Sequence, residues 1–202
     1  MKRADKQIES GLKFKNGIRT NRFTQKQEQP QCIALIVSYA KAKNERMQKL
    51  SAAFLGQVLS TRYLEKIREE MGAAYSVDAS ASVTQVGVKD YQAVLQIVLP
   101  VKPEMCDDAL KAAEEILDDL IANGVKDEEL NKIKEHELKN LDEAERLNGS
   151  WLSWFRNYNE NGIDSYTNMK QTIQNLSSKD VVKMAKQIKA GKNRATIVML
   201  PE

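Results

Sequence analysis

Residues 63–77 read YLEKIREEMGAAYSV, and they join a helical pattern to a strand pattern. Before Gly72 the apolar side chains recur every three or four residues, which predicts an amphipathic helix. After Gly72 apolar and polar residues alternate, which predicts a strand. We therefore expect Arg68 in the last helical turn, Gly72 in the left-handed position that ends the helix, and Tyr75 at the start of the strand.

The segments on both sides of this joint predict one α+β domain. Four apolar or alternating runs are typical of strands, and they cover residues 33–39, 75–84, 91–99 and 195–200. A long helix is predicted over 45–71, where Gly56 indicates close packing or a bend. Further helices are expected to begin near Pro103, Asp127, Asn148 or Ser150, Asp164 or Ser165, and Ser177 or Ser178. This order favours an antiparallel or mixed sheet with helices packed on one face.

Length and composition limit the classes of protein to consider. The chain has 202 residues, 42% of them hydrophobic, which suits one well-buried domain. There is no run of eighteen apolar residues and no signal-like start, so we expect a soluble chain, periplasmic or cytoplasmic, that neither spans a membrane nor carries its own export signal. Residues 1–30 carry a net charge of +5 and leave −2 on the rest. We interpret residues 1–30 as a basic linker or arm and 31–202 as the domain.

The usual chemical motifs are missing from the sequence. Phe14 and Phe23 are too few aromatic residues to indicate stacking on nucleic-acid bases, so the basic arm does not predict nucleic-acid binding. Cys32 and Cys106 lie far apart without CxxC spacing, which indicates ordinary buried thiols rather than a zinc knuckle or a disulfide framework. His136 is the single histidine, whereas a hydrolytic metal site needs two or three convergent ligands. We therefore expect no metal site in this chain.

Two groups of residues permit both a structural and a functional interpretation. Four aromatic residues share one predicted helical face, where core packing is the simpler interpretation and a binding groove the alternative: Trp151, Trp154, Phe155 and Tyr158. From the residues alone, Arg68 caps the helix and pairs with Glu65, while Tyr75 packs in the sheet. The alternative is that this helix-to-strand joint presents the guanidinium of Arg68 and the phenol of Tyr75 to a peptide.

The joint also carries a resemblance to a known family. The string LEKIREEMGAAYSV over residues 64–77, at the end of a long helix and before an alternating hairpin, resembles the helix-to-strand joint of the pitrilysin/insulinase family of zinc peptidases. The pattern Phe-x-Gln-Lys-Gln-x-x-Pro over 23–30 and the helical run closed by a last strand are also similar to that family's repeated domain. The resemblance covers about residues 20–202.

The resemblance implies a role for two residues. Long chains of the family repeat this α+β unit, with the zinc site in the first copy and a substrate-gripping arginine and tyrosine, seven positions apart, in a late copy. Arg68 and Tyr75 match that spacing. The resemblance therefore implies that their guanidinium and hydroxyl bind the substrate backbone carbonyl and stabilise the oxyanion formed when zinc-bound water attacks.

The chain departs from the family at the metal site. Family catalysis uses an inverted His-x-x-Glu-His helix, and no such motif occurs here, where His136 stands alone. The resemblance thus implies the C-terminal, non-zinc-binding domain of a longer inverzincin-type metallopeptidase that hydrolyses peptides, or a partner subunit of one. Its partners would be a peptide substrate and an N-terminal catalytic half that holds the zinc. The isolated chain is expected to bind no cofactor and to catalyse nothing.

Two rival functions remain open from the sequence. The first is a non-catalytic structural or protein-interaction module of the same fold, because the family contains scaffolding members. The second is a free-standing peptide-binding domain that uses the edge of its sheet, for which residues 33–39 or the hairpin would supply backbone partners.

Overall fold

The computed structural model describes residues 16–87 and 90–202. Its five strands form one sheet in the order β1-β5-β2-β4-β3. The strands are β1 (Ile18–Gln25), β2 (Cys32–Ala42), β3 (Asp78–Gln85), β4 (Tyr91–Val101) and β5 (Asn193–Pro201). β1 runs parallel to β5, and the other neighbours are antiparallel. The predicted α+β class is confirmed, and of the two sheet types expected, antiparallel or mixed, the mixed one forms.

Among the described residues, six α-helices accompany the sheet: α1 (Arg46–Tyr63), α2 (Cys106–Asn123), α3 (Asp127–Ala144), α4 (Asn148–Asn161), α5 (Met169–Asn175) and α6 (Ser178–Ala190). Most of them begin where the sequence predicts. Ser177 and Asp180 form a capping box at the start of α6, because each side chain bonds the backbone of the other residue. None of the helices described is long and apolar enough to cross a membrane.

Helices α1, α2 and α6 cover one face of the sheet. Seven strand residues on that face are at most 3% exposed, namely Cys32, Ala34, Ile36, Leu95, Ile97, Leu99 and Val198. Two ion pairs join β1 and its neighbour β5 to α2, namely Arg22 with Asp107 and Arg194 with Glu114. On the opposite face Leu35 is half-buried, and Ile197, its partner on β5, is 39% exposed. The sheet therefore buries its apolar side chains on one side.

β1 lies inside the stretch that the sequence assigns to a basic arm, residues 1–30. All eight of its residues are exposed. The segment therefore lacks the alternation of buried apolar and exposed polar residues from which a strand is predicted. The strand pairs with β5, which is far away in the chain. Residues 18–25 of the predicted arm thus belong to the sheet, while residues 1–15 of that arm lie outside the described part.

Cys32 and Cys106 form a disulfide, and their Cα atoms are 6.1 Å apart. The two side chains are 0% and 3% exposed, so the predicted burial is confirmed. The interpretation as two ordinary thiols was wrong, because the fold brings the first residue of β2 against the first residue of α2. A separation of 74 residues gives no local sign of such a pairing.

Gly56 is the point at which α1 packs closest to the sheet. A Cβ atom at Gly56 would lie 2.6 Å from the backbone nitrogen of Ala81 and 3.1 Å from the Cα of Ser80. The close packing expected at this glycine is therefore confirmed.

Replacing Gly56 with alanine is expected to destabilise the domain. Forcing a methyl group against backbone costs about 1–3 kcal/mol, which exceeds the gain of up to about 1 kcal/mol in helix propensity. Urea unfolding would measure the loss as a lower midpoint. The matched control is Gly149→Ala in α4, where a Cβ meets nothing within 4 Å. Equal midpoints for the Gly56 variant and the wild type would contradict the close contact.

Helix α5 begins at Met169, later than the predicted start at Asp164 or Ser165. Asp164 instead closes a turn, because its carboxylate accepts hydrogen bonds from the backbone N–H groups of Tyr166 (3.0 Å) and Thr167 (2.9 Å). Hydrogen bonds from the side chain of Thr167 and from these N–H groups lower the pKa of Asp164 to about 2.

This depressed pKa predicts a pH dependence. Because the pKa of Asp164 lies below its ordinary value of 3.8, the turn contributes stability above about pH 4 and loses it as the pH falls toward 2. A carbon NMR titration of the Asp164 carboxyl should show a midpoint near pH 2. The Asp164→Asn variant should lose this dependence. A midpoint near 4 would show that the turn does not favour the ionised carboxylate.

Candidate functional site: the Arg68–Tyr75 corner

The helix that carries Arg68 widens in its last turns. α1 continues without interruption into a π-helical segment, Leu64–Glu70, in which the N–H of Met71 donates to the carbonyl of Lys66 five residues earlier (3.0 Å). The helix then ends at Gly72, whose φ of +60° lies in the left-handed region. The predicted glycine stop is confirmed, and the wider turn is a feature that sequence analysis missed.

The π-helical turn follows from the spacing of the buried residues. They recur at four-residue intervals, at Ser51, Leu55, Leu59, Tyr63 and Ile67. Four residues of an α-helix span about 400°, which is about 40° more than one full turn. Each four-residue interval therefore rotates the next buried side chain by about 40° away from the core. A wider turn reverses this drift and returns Ile67 to the core, where it is 0% exposed. This buried residue fixes the backbone next to Arg68.

Tyr75 lies outside the sheet. β3 begins at Asp78, three residues later than predicted, and the side chain of Tyr75 is 87% exposed. The residues before it are anchored to the end of β4, because Ala74 bridges Val101 and the N–H of Lys102 donates to the carbonyl of Ala73 (2.9 Å). A fixed backbone thus presents an exposed phenol, and packing of Tyr75 in the sheet is excluded.

Arg68 and Tyr75 meet in solvent. The guanidinium carbon of Arg68 lies 5.7 Å from the centroid of the Tyr75 ring, which is the distance of a cation–π contact. Within residues 16–87 and 90–202, neither side chain makes an ion pair or a hydrogen bond with another side chain, so the expected pairing of Arg68 with Glu65 does not form. Lys66 pairs with Glu70 instead (2.6 Å). The guanidinium and hydroxyl donors therefore remain available to a ligand.

Comparison with known proteins identifies the family. The family model described as "Peptidase M16 inactive domain" matches residues 3–136, about two thirds of the chain. The chain belongs to the peptidase M16 family. The match begins within the predicted arm, in agreement with the position of β1. The comparison with curated proteins finds no match.

Solved structures share the fold of this M16 domain. The ferredoxin protease FusC has a TM-score of 0.77 at 13% identity over 93% of this chain and 20% of its own. The periplasmic protease PqqL from Escherichia coli has 0.72 at 24% identity over 91% and 21%. The peptidase M16 inactive domain from Pseudomonas fluorescens has 0.70 at 17% identity over 97% and 46%. The chain thus spans about a fifth of the two proteases and under half of the third.

The residues of this M16 domain do not fit the zinc site that the family implies. His136 lies exposed on α3, and Glu137 beside it accepts a hydrogen bond from Gln57 (2.6 Å). No group of three or more histidine, cysteine or carboxylate side chains is placed to bind a metal within the described ranges.

The aromatic residues of α4 form a cluster apart from the core of the M16 domain. The rings of Trp151 and Trp154 each lie 4.8 Å from that of Tyr166. Phe155 and Tyr158 are 65% and 63% exposed. The core-packing interpretation was wrong for these residues, because none of the four predicted ones belongs to the buried cluster.

A second arginine of the M16 domain has a structural role that the sequence did not reveal. Arg62 donates two hydrogen bonds to Glu129 (2.8 and 3.0 Å), lies 3.3 Å from Asp119 and donates to the carbonyl of Gly124 (3.0 Å). The hydrogen bonds to Glu129 raise the pKa of Arg62. These contacts join α1 to α2 and α3. Arg62 is thus fully paired, in contrast to Arg68.

Proposed function

We propose that this chain is the substrate-gripping C-terminal domain of a zinc metallopeptidase that hydrolyses peptides. The observation that supports it is the Arg68–Tyr75 corner, where two exposed donors contact each other on a fixed backbone and make no side-chain hydrogen bond or ion pair within the described residues. A backbone carbonyl oxygen accepts hydrogen bonds from a guanidinium and a phenol. Both bonds strengthen as negative charge develops on that oxygen during peptide-bond cleavage.

The backbone of the corner favours this role because donors stabilise a transition state best when they are already in place. Ile67 is fully buried on one side of Arg68, and Gly72 ends the helix without strain. Ala73 and Ala74 are bonded to the end of β4. The backbone thus needs little reorganisation when a peptide binds.

The rest of the active site is proposed to lie in a catalytic half that binds the zinc ion. Proteases of this fold, such as FusC and PqqL, are between about four and five times as long as this chain. The catalytic half would be an N-terminal part of the same protein or a partner subunit. The Cys32–Cys106 disulfide favours an oxidising compartment, such as the periplasm, for the assembled protein.

The test is peptide hydrolysis by the longer protein, or by this chain with its partner subunit, in the variants Arg68→Ala and Arg156→Ala. Arg156 is the matched control, because it lies exposed on α4 and, in the part of the chain that the structure describes, pairs only with Glu160. We expect the Arg68 variant to lose about 10²- to 10³-fold in turnover and the Arg156 variant to keep it. Wild-type turnover in the Arg68 variant would reject the gripping role.

The second candidate function is a non-catalytic structural or protein-interaction module. Exposed apolar residues on α4 favour it, namely Leu152, Phe155 and Tyr158, each more than 60% exposed. In that case substitution of Leu152 or Phe155 by a charged residue would abolish association with the partner half, and substitutions at Arg68 would leave both association and turnover unchanged. Measuring association and turnover in the same variants separates the two functions.

A further inference from the structure

We propose that Cys32 and Cys106 are positioning residues whose disulfide fixes the Arg68–Tyr75 corner. Oxidation would hold the backbone under Tyr75 in place, and reduction would release it while the centre of the sheet stays ordered. This inference concerns the conformation of the corner and goes beyond the proposed function. Its test requires no peptide and no turnover.

Cys32 reaches the corner through the sheet. It pairs with Val101 in the β2–β4 ladder, and Val101 bridges Ala74 on its other side. Ala74 is the residue before Tyr75. Cys32, Val101 and Ala74 therefore lie side by side across three neighbouring segments, and Cys32 and Val101 are at most 1% exposed.

Cys106 is connected to the end of β4 along the chain. β4 ends at Val101, and Lys102 leads through a short 3₁₀ turn, Pro103–Met105, into α2 at Cys106. The N–H of Lys102 donates to the carbonyl of Ala73 (2.9 Å), and the N–H of Met105 donates to the carbonyl of Lys102 (3.0 Å). The disulfide thus links the first residue of α2 to the first residue of β2. Together with the Cys32–Val101 ladder pair and the chain from Val101 to Cys106, it closes a short ring at the end of β4.

Opening the disulfide removes one side of this ring. A dithiol reductant reduces the bond to two thiols, itself becomes a cyclic disulfide, and supplies the two electrons and two protons that the cysteines take up. The end of β4 then remains attached to β2 by the ladder in which Cys32–Val101 is the terminal pair, and ladder ends open more readily than ladder centres. Ala73 and Ala74 lose a fixed partner, and Tyr75 loses its orientation toward Arg68.

The test is nitrogen NMR relaxation on the 202-residue chain, oxidised and as the Cys32→Ala/Cys106→Ala variant. We expect the order parameters of the Ala73, Ala74 and Lys102 amides to fall from about 0.85 to below 0.6 in the variant. The amide of Ile36, in the central strand between β4 and β5, is the control and should stay near 0.85. The wild-type chain reduced with dithiothreitol should match the variant.

Two outcomes would overturn the inference. Order parameters that stay near 0.85 at all four amides would show that the disulfide does not position the corner. A fall at Ile36 as large as that at Lys102 would show a general loosening of the sheet. Should the double variant fail to fold, the reduced wild-type chain gives the same comparison without a substitution.

Discussion

Replacing Tyr75 with phenylalanine is expected to lower kcat of the longer peptidase by about 10²- to 10³-fold and to change KM little. The substitution removes only the hydroxyl donor. The ring that contacts the Arg68 guanidinium at 5.7 Å remains, so the arginine keeps its place. KM stays similar because the hydroxyl acts mainly on the charge that develops in the transition state. Steady-state hydrolysis of a quenched fluorescent peptide measures both constants.

The matched control for this prediction is Tyr158→Phe, which removes a hydroxyl from another exposed tyrosine, on α4. Its kcat should equal that of the wild type. The double variant Tyr75→Phe/Arg68→Ala should lower kcat by a factor smaller than the product of the two single factors, because both donors bind one oxygen and Arg68 contacts Tyr75. Wild-type kcat in the Tyr75 variant, or independent effects in the double variant, would contradict a shared site.

Reduction of the Cys32–Cys106 disulfide is expected to lower the free energy of unfolding by about 4 kcal/mol. The bond closes a loop between residues 74 apart, and loops of that size restrict the unfolded chain strongly. Both cysteines are buried at the junction of β2 and α2, so the native contacts around them also weaken. Urea unfolding of the wild-type chain with and without a dithiol reductant measures the difference.

The control for reduction is the Cys32→Ala/Cys106→Ala variant. Its unfolding midpoint should be low in both buffers and insensitive to the reductant. A wild-type midpoint that does not move on reduction would contradict the contribution of the disulfide. Together with the relaxation experiment, the urea series separates an effect on the unfolded chain from an effect on the corner.

Local patterns were sufficient for most of the fold. Gly72 ends the long helix because only the left-handed conformation turns the chain there, and the sequence shows the change of period around it. Ser177 begins α6 because its side chain and that of Asp180 satisfy the first N–H groups. These features depend on neighbours in the chain, so the sequence predicts them.

Features that depend on distant partners were missed. β1 is exposed throughout and is a strand only because β5, the last strand, lies beside it. Cys32 and Cys106 form a bond only because two layers of the fold meet at that point. The periodicity of residues within a segment does not predict a pairing with a distant segment.

The candidate site was predicted in part. The sequence and the family resemblance selected Arg68 and Tyr75 and placed the glycine stop between them. The π-helical turn was missed, because it follows from the burial of Ile67 against the rest of the core. The position of Tyr75 before the strand was missed as well, since alternation of side chains does not show which residues form the ladder.

The proposed function depends on binding of a peptide carbonyl oxygen by Arg68 and Tyr75. The most direct test is the infrared stretching frequency of one ¹³C-labelled carbonyl, at the scissile position of a peptide bound to the longer protein after chelation of its metal. Hydrogen bonds from the two donors lower this frequency, so we expect it to rise in both Tyr75→Phe and Arg68→Ala and to rise most in the double variant. An unchanged frequency in all three variants, with the peptide still bound, would contradict the claim.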